Sequence, residues 1–169
     1  SPEPHWSVIH RGLVSQYAGA LQAMHESPFV IPDKQGGRES FRFVLLPTFR
    51  HPACIRLERE GVSVSLSVKV LSGQGGFDFG TIDRSEEHRL SEAAWGEFLG
   101  LLSIDQYWDL PPEGENEGMD GSDWFLEGVA PGRAKLTHRW SPESHGPDQY
   151  FKRACAYLLD LAARETPQD

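Results

Sequence analysis

Long apolar runs and clusters of basic residues are both missing from this sequence of 169 residues. No stretch of about 18 apolar residues occurs, so the sequence predicts no transmembrane helix. The formal net charge is -9, from 25 acidic and 16 basic residues, and no run of lysine and arginine offsets it locally. A phosphate backbone is therefore repelled on average, which excludes nucleic acid as an expected partner. The same charge favours encounter with a basic protein.

Cysteine is scarce, with Cys54 and Cys155 about a hundred positions apart. Two alternatives stay open: unpaired buried thiols, or a possible disulfide that would stabilise the fold by about 4 kcal/mol in the chain-entropy model. The disulfide requires an oxidising compartment. The chain opens at Ser1 without methionine, which a removed export signal or a shortened chain end would each explain. Both locations stay open, with the periplasm ahead of the cytoplasm.

Motifs that assemble common catalytic and cofactor sites are also missing. The seven histidines include no His-x-x-x-His pair, the two cysteines have no metal-ligand spacing, and no Gly-x-Ser-x-Gly elbow occurs. Gly73-x-Gly75-Gly76 lacks the Lys-Ser/Thr ending of a phosphate loop. The acidic residues of 113–117 imitate the start of a calcium loop, but Trp124 stands where that loop needs a bidentate glutamate. We therefore predict no metal, no cofactor and no catalytic residue.

The remaining composition, 38% hydrophobic and 11% aromatic, is that of a globular protein. Apolar spacings of three and four predict helices over 6–25, 92–103 and 148–164. Alternating apolar residues predict strands over 41–46, 53–59, 62–70, 80–84, 123–129 and 134–140. This order predicts one α+β domain over 1–169. Its antiparallel sheet, over 41–140, is built from hairpins, with helices packed on one face or the edges.

A hairpin is predicted around Glu60-Gly61. With these two residues as the turn, Leu57 lies opposite Val64, and the apolar side chains of both strands share one face. The opposite face carries small and polar side chains: Cys54, Ser63, Ser65, Ser67 and Lys69. That face is either wet or open to close approach by a helix, and the second case would let Cys155 reach Cys54.

An acidic, glycine-rich loop from Glu113 to Ser122 is predicted to be mobile, and it leads into the last hairpin. We predict that partner-binding residues lie in this loop and at the start of the hairpin: Glu113, Glu115, Glu117, Asp120, Asp123 and Trp124. Structural roles are predicted for Glu127, Arg139 and Trp140. The expected ion pair joins Arg139 to Glu127 or Asp123 across the hairpin. The two indoles are either buried or presented to a protein or sugar.

Carboxylates on the first strand of this hairpin leave a hydrolase as an alternative. Asp123 and Glu127 point to the same strand face, with their Cα atoms about 13 Å apart. A glycosidase places its two carboxyl groups about 5 to 9.5 Å apart, so long rotamers would have to close the gap. The acid and base candidates are Asp120, Asp123 and Glu127, with a cell-wall sugar or peptide as substrate.

The run from Met119 to Val129, with Arg139-Trp140-Ser141-Pro142, resembles a pattern found in uncharacterised bacterial proteins. There it reads Leu-Asp-Gly-x-x-Trp-x-Leu-Glu-Gly and then Arg-Trp-Ser-Pro, so Met119 stands in place of the usual leucine. The glycine segment 68–77 is similar to the same proteins, and the resemblance covers residues 41–162. It implies no assigned chemistry. Many small exported bacterial proteins of this kind are immunity or inhibitor proteins that neutralise a secreted toxin. The resemblance implies such a role by this general likeness alone.

These observations predict a non-enzymatic binding protein, an immunity or inhibitor protein that blocks a bacterial effector by occluding its active site. The acidic loop would steer a basic protein partner, and aromatic anchors would pack into it. Besides the hydrolase, the remaining alternative is a carbohydrate-binding or protein-binding module that uses Trp124 or Trp140.

Overall fold

Six antiparallel strands form a sheet in the computed structural model, which describes residues 3–33 and 37–165. The strands are β1 (Glu39–Pro47), β2 (Ala53–Glu60), β3 (Ser63–Leu71), β4 (Ile82–Leu90), β5 (Ser122–Ala130) and β6 (Arg133–Trp140). The helices are α1 (Arg11–Ala23), α2 (Glu92–Leu102), α3 (Ile104–Tyr107) and α4 (Gln149–Glu165). Single 3-10 turns lie at Pro4–Trp6 and Gly146–Asp148. The α+β class predicted from the sequence is confirmed.

The strand order is β4-β3-β2-β1-β5-β6. The first four strands form a meander, and the β5–β6 hairpin adds to the free side of β1. Pro131 and Gly132 make the turn of that hairpin, as predicted, with Gly132 at a φ of +74°. Proline followed by a glycine with positive φ is the pattern of a type II turn.

The hairpin between β2 and β3 is present, but its turn is Gly61-Val62, one position later than predicted. Leu57 therefore lies opposite Leu66 instead of Val64. Gly61 has a φ of +62°, and a glycine at the first central position is what a type II′ turn requires. Because the register differs by two residues, every side chain keeps its predicted face.

Two elements differ from their predicted bounds by more than two residues. The first helix begins at Arg11 rather than near residue 6, because His10 caps it by accepting a hydrogen bond from the Gly12 backbone N–H at 3.1 Å. Strand β4 continues to Leu90, well past the predicted end at Arg84. This strand lies at the edge of the sheet, and its residues are alternately half-buried and exposed. Most of them are charged or polar, so the strand has no apolar face that would predict it.

Helices cover both faces of the sheet, rather than one face or the edges. On one face α2, α3 and α4 pack on the apolar side chains of β1, β2 and β3, and on the other face α1 packs on alternate residues of β1 and β5. The helix-rich face includes Phe41, Phe43, Leu57, Leu66, Phe98, Leu126, Phe151 and Leu158. The α1 face includes Trp6, Tyr17, Leu21, Val44, Cys54, Phe125 and Leu136.

The two cysteines are free thiols on opposite sides of this sheet. Cys54 lies in the cluster under α1, and Cys155 on α4 lies in the cluster of the helix-rich face. The possible disulfide between Cys54 and Cys155 is therefore wrong, because the sheet separates the two side chains. No helix in the described part of the chain is long and apolar enough to cross a membrane.

Candidate functional site

One end of the sheet gathers three loops into a continuous surface. Strands β1, β3 and β6 end here, and β2, β4 and β5 begin here, because neighbouring strands are antiparallel. The loops are 48–52 between β1 and β2, 72–81 between β3 and β4, and 111–121 before β5. We call the exposed side of these three loops the sheet-end surface.

Thr48 joins the first loop to the third. Its backbone N–H donates to the carbonyl oxygen of Gly121 at 2.9 Å, and its hydroxyl donates to the carbonyl oxygen of Met119 at 3.3 Å. The Gly121 N–H in turn donates to the Thr48 hydroxyl oxygen at 3.3 Å. These three bonds hold the end of the acidic loop against the β1–β2 connection.

Gly75 and Gly76 join the second loop to the first. The Gly76 N–H donates to the carbonyl oxygen of Pro47 at 3.0 Å. Gly75 has a φ of +106°, and a Cβ atom there would lie only 2.4 Å from the Thr48 carbonyl oxygen. Only glycine fits this approach. The glycine segment that resembled a phosphate loop therefore serves as a close contact between two loops.

Each of the three loops presents one large apolar side chain to solvent. Phe49 is 74% exposed, Phe77 is 82% exposed and Met119 is 89% exposed. Exposed apolar side chains that gather on one surface mark interaction sites more often than singly scattered ones do. Aromatic residues and methionine are also enriched in protein interfaces. The sheet-end surface therefore has the composition of a protein-docking surface.

Acidic side chains surround these apolar ones. In the third loop Glu113, Glu115, Glu117 and Asp120 are all exposed. Asp78 of the second loop adds a further carboxylate, while Arg50 is the one arginine or lysine that the three loops carry. The sheet-end surface is thus acidic around apolar anchors, which is the charge pattern that favours a basic partner.

The acidic loop, predicted to be mobile, lies along the outer edge of β6. The His138 N–H donates to the carbonyl oxygen of Pro112 at 2.8 Å, and Glu113 forms a parallel bridge with His138. Further along, a Cβ atom on Gly118 would lie 2.4 Å from the indole nitrogen of Trp140. The backbone thus passes directly over the half-buried Trp140 ring. This packing covers the β6 edge and gives Trp140 a structural role.

Asp123 and Trp124 do not join the acidic residues on the sheet-end surface. His138 Nε2 lies 2.6 Å from Asp123 Oδ1, with both side chains largely buried. Trp124 is half-buried, packs on Phe43 with ring centroids 5.1 Å apart, and donates from its indole N–H to Ser122 Oγ at 2.9 Å. Both side chains are held within the fold, so the predicted binding set reduces to Glu113, Glu115, Glu117 and Asp120.

Glu127 is fully buried on the α1 face and accepts four hydrogen bonds. Tyr17 Oη and Arg42 Nη2 donate to Oε1 at 2.7 and 2.6 Å. His5 Nε2 and Trp6 Nε1 donate to Oε2 at 2.6 and 2.7 Å. We call this group the Glu127 cluster. It ties the 3-10 turn, α1 and β1 to β5.

Hydrogen bonding sets the protonation state of this cluster. Burial alone would raise the pKa of Glu127, but the bonds from His5, Trp6 and Tyr17, together with the charge of Arg42, outweigh it and lower the pKa to about 2. A catalytic acid needs a raised pKa and access to substrate. Glu127 has neither, so its environment does not fit the general acid of a hydrolase; Asp123 is paired with His138, and Asp120 is exposed in the third loop.

The predicted ion pair of Arg139 is wrong. Arg139 Nε donates to Asp148 Oδ1 at 2.7 Å, and its other nitrogens donate to the carbonyl oxygens of His138 and Pro111 at 2.7 Å each. Arg139 therefore fastens the start of the acidic loop and the 3-10 turn before α4 to β6. Arg139 thus has a structural role, but through partners other than the predicted Glu127 or Asp123.

No set of metal ligands is assembled in the described part of the chain. Within residues 3–33 and 37–165, no group of three or more histidine, cysteine, aspartate or glutamate side chains could hold a metal ion. No protein-family model matches the sequence, and no curated protein is significantly similar to it. The resemblance noted at residues 119–142 thus brings no activity to this chain.

Sequence reasoning missed the apolar residues of the sheet-end surface. A signal was present for Phe49, because it lies in a connection bounded by Pro47 and Pro52, where neither strand nor helix continues. Phe77 similarly follows a glycine segment. An aromatic side chain inside a turn has few neighbours to bury it, which is a sequence-level indication of exposure.

Proposed function

We propose that this chain is a non-enzymatic binding protein that docks a basic protein on its sheet-end surface. Within that class we propose an immunity or inhibitor protein that neutralises a secreted effector by occluding its active site. The observation that carries the proposal is the exposure of Phe49, Phe77 and Met119 on three loops joined at Pro47 and Thr48. An interface needs such a cluster of apolar anchors, because a few residues supply most of the binding free energy.

The rigidity of the surface supports the proposal. The hydrogen bonds of Thr48 and the contact at Gly75 hold the loops together before any partner arrives. A surface that is already ordered loses less conformational entropy on binding, so its affinity for a partner is higher. The acidic side chains around the anchors would act mainly on the rate of association.

Affinity capture from cells that make the protein, followed by binding measurements with the captured protein, tests the proposal. The test variant combines Phe49→Ser, Phe77→Ser and Met119→Ser. Loss of a central anchor weakens an interface by about 2 kcal/mol or more, so the three changes together should abolish capture. The matched control is Val62→Ser, because Val62 is 79% exposed and lies at the opposite end of the sheet.

Two results would overturn the docking proposal: equal capture by the test variant and by wild type, or equal loss of capture in the Val62→Ser control. The inhibitor part has its own readout. The captured effector should lose its activity on binding the wild-type protein at equal molar ratio and keep it with the test variant. An effector that stays fully active in the complex would contradict occlusion of its active site.

Charge reversal tests the steering role of the loop. The variant carries Glu113→Lys, Glu115→Lys and Glu117→Lys. We expect the association rate at low salt to fall by about tenfold or more, and the difference to shrink at high salt because screening shortens the range of the charges. An association rate unchanged at low salt would remove steering from the proposal and leave the apolar anchors in place.

A further inference from the structure

A groove of about 970 Å³ crosses the α1 face of the sheet beside α1. Its floor is formed by side chains of β1, β2 and β3, and one wall is formed by residues 25–33, which follow α1. We call it the strap groove. The serine-rich sheet face of the predicted β2–β3 hairpin divides between the two alternatives: α1 covers it at Cys54, whereas at Ser65, Ser67 and Lys69 it lines the open groove.

Fixed ion pairs cover part of the floor. Arg56 Nε donates to Glu26 Oε1 at 3.0 Å, and Arg56 Nη1 donates to Glu58 Oε1 at 2.7 Å. Lys69 donates to the other oxygen of Glu26, and Arg42 lies 3.5 Å from Oε1. Each cation on this floor already has an acidic partner. The groove therefore offers hydrogen-bonding atoms in fixed positions without a free cation on its floor.

Two largely buried serines on the floor make no side-chain hydrogen bond to the described residues. Ser40 of β1 is 2% exposed and Ser67 of β3 is 6% exposed, and both line the groove. Neither oxygen is among the fully enclosed unpaired side-chain atoms, so both are reached from the groove. A hydroxyl can donate once and accept twice, so these two side chains offer hydrogen-bonding capacity to a ligand in the groove.

The wall opposite the floor is apolar from Pro28 to Pro32. Phe29 stacks on the guanidinium of Arg42, with 4.0 Å from Cζ to the ring centroid, and is nearly buried. Val30 and Ile31 follow it and are both exposed. A molecule in the groove therefore meets hydroxyl groups and ion pairs on one side and hydrocarbon on the other.

We propose that the strap groove binds an uncharged, polyhydroxylated molecule, of the oligosaccharide class. A pyranose ring has hydroxyl groups at its rim, each able to donate and accept, and C–H bonds on its faces, which match the floor and the wall respectively. Four cationic and five acidic side chains line the groove, so the lining charge is close to balanced and recruits neither an anion nor a cation strongly. The volume lies at the upper end of the 300 to about 1,000 Å³ typical of ligand pockets, enough for several sugar rings.

This site is separate from the sheet-end surface. Its lining comes from residues 25–33, from Gly37 and Arg38, and from strands β1 to β5, and none of the three sheet-end loops contributes to it. The proposal therefore stands or fails independently of the proposed protein partner. The triple variant Phe49→Ser, Phe77→Ser and Met119→Ser should keep full sugar binding.

Amide chemical-shift mapping of the whole chain tests the proposal directly. The probes are three uncharged hexasaccharides, built from α-1,4-linked glucose, β-1,4-linked glucose and β-1,4-linked N-acetylglucosamine. At about 5 mM a site with a Kd near 1 mM would be mostly occupied. We expect at least one probe to shift the amides of residues 25–33 and of β3 around Ser67, and to leave the sheet-end loops unchanged.

Two variants that fill the groove are compared with a matched control. Ser67→Leu places a larger side chain on the buried floor, and Ser65→Leu does the same at an exposed lining position where folding is less at risk. The control is Ser63→Leu, on the same strand and face but outside the groove. Either groove variant should weaken binding by about tenfold or more, equal to 1.4 kcal/mol, while the control binds as wild type.

Three outcomes would overturn the proposal. None of the three hexasaccharides shifts the groove amides, or the Ser63→Leu control loses binding as strongly as the folded groove variants. In the third outcome, a peptide of alternating lysine and glutamate shifts the groove amides while all three sugars fail, which would assign the groove to a charged peptide instead. Thermal unfolding of each variant confirms that the comparison is made on folded protein.

Discussion

On one face of β1, Phe41 and Phe43 pack among aliphatic and aromatic side chains of α2 and α4, whereas on the other face Arg42 is equally buried but bonds to Glu127 and Tyr17. Neighbouring residues of one strand thus meet an apolar core and a buried ion cluster. The apolar core has no directional bonds, and its stability depends on area and fit. The Glu127 cluster depends on every donor being in place, because a buried charge without its partner is expensive.

Equally conservative substitutions should therefore have unequal effects on the two faces. An apolar core tolerates a change of shape at nearly constant volume. A saturated carboxylate tolerates little, since any change either removes an acceptor or leaves a cation unpaired.

The largest effect is expected for Glu127→Gln. The substitution keeps the shape of the side chain but removes the nearer of the two carboxylates that pair with the buried Arg42, leaving only Glu26 at 3.5 Å, so the free energy of unfolding should fall by about 3 kcal/mol or more. The matched control is Leu158→Met in the apolar core, which should lower it by less than about 1.5 kcal/mol. Denaturant unfolding followed by circular dichroism measures both. Equal losses for the two variants would contradict the contrast between the faces.

A somewhat smaller effect is expected from acid. The pKa of Glu127 is about 2 in the folded protein against 4.5 for the ordinary side chain, so its contribution to stability is complete above pH 4.5 and is lost as the pH falls towards 2. At pH 3 the wild type should have lost about 2 kcal/mol from this group relative to pH 7. Unfolding curves at both pH values, measured on wild type and on Glu127→Gln, isolate the effect of this residue. A variant that loses as much stability as wild type over that range would show that other carboxylates carry the acid sensitivity.

The smallest effect is expected for reduction. Cys54 and Cys155 are free thiols, and burial raises the pKa of both, that of Cys54 to about 12 with a further contribution from Glu26. Neither should react with a thiol reagent in the native protein, and both should react after unfolding. A reductant should leave the free energy of unfolding unchanged, whereas a disulfide closing this loop would contribute about 4 kcal/mol. A loss of that size on reduction would contradict the placement of the two cysteines on opposite faces.

Much of the sheet is predictable from the sequence because side-chain alternation is a local property. The apolar residues of β3 identify its buried face, and even a turn placed one position early at Glu60-Gly61 preserves that face. Helices α2 and α4 are predictable for the same reason, since spacings of three and four are read within a single element.

The partners of Glu127 are not predictable in this way. A local argument pairs Glu127 with Arg139 of its own hairpin, but β5 also pairs with β1, where Arg42 stands directly opposite. That pairing joins strands about 80 positions apart, and the 3-10 turn brings His5 from still farther. Long-range strand order is the missing information, and without it the acidic residues of the last hairpin cannot be sorted into buried and exposed sets.

The Glu127 cluster also has a consequence for how parts of the molecule come apart. His5 and Trp6 of the first turn donate to Oε2 of Glu127 on β5, so the turn cannot detach without leaving this buried oxygen without its two donors. Peripheral segments commonly open at almost no free-energy cost, but this one is bound to the central sheet. The first segment, α1 and the last hairpin thereby behave as one cooperative unit, although more than a hundred residues separate them along the chain.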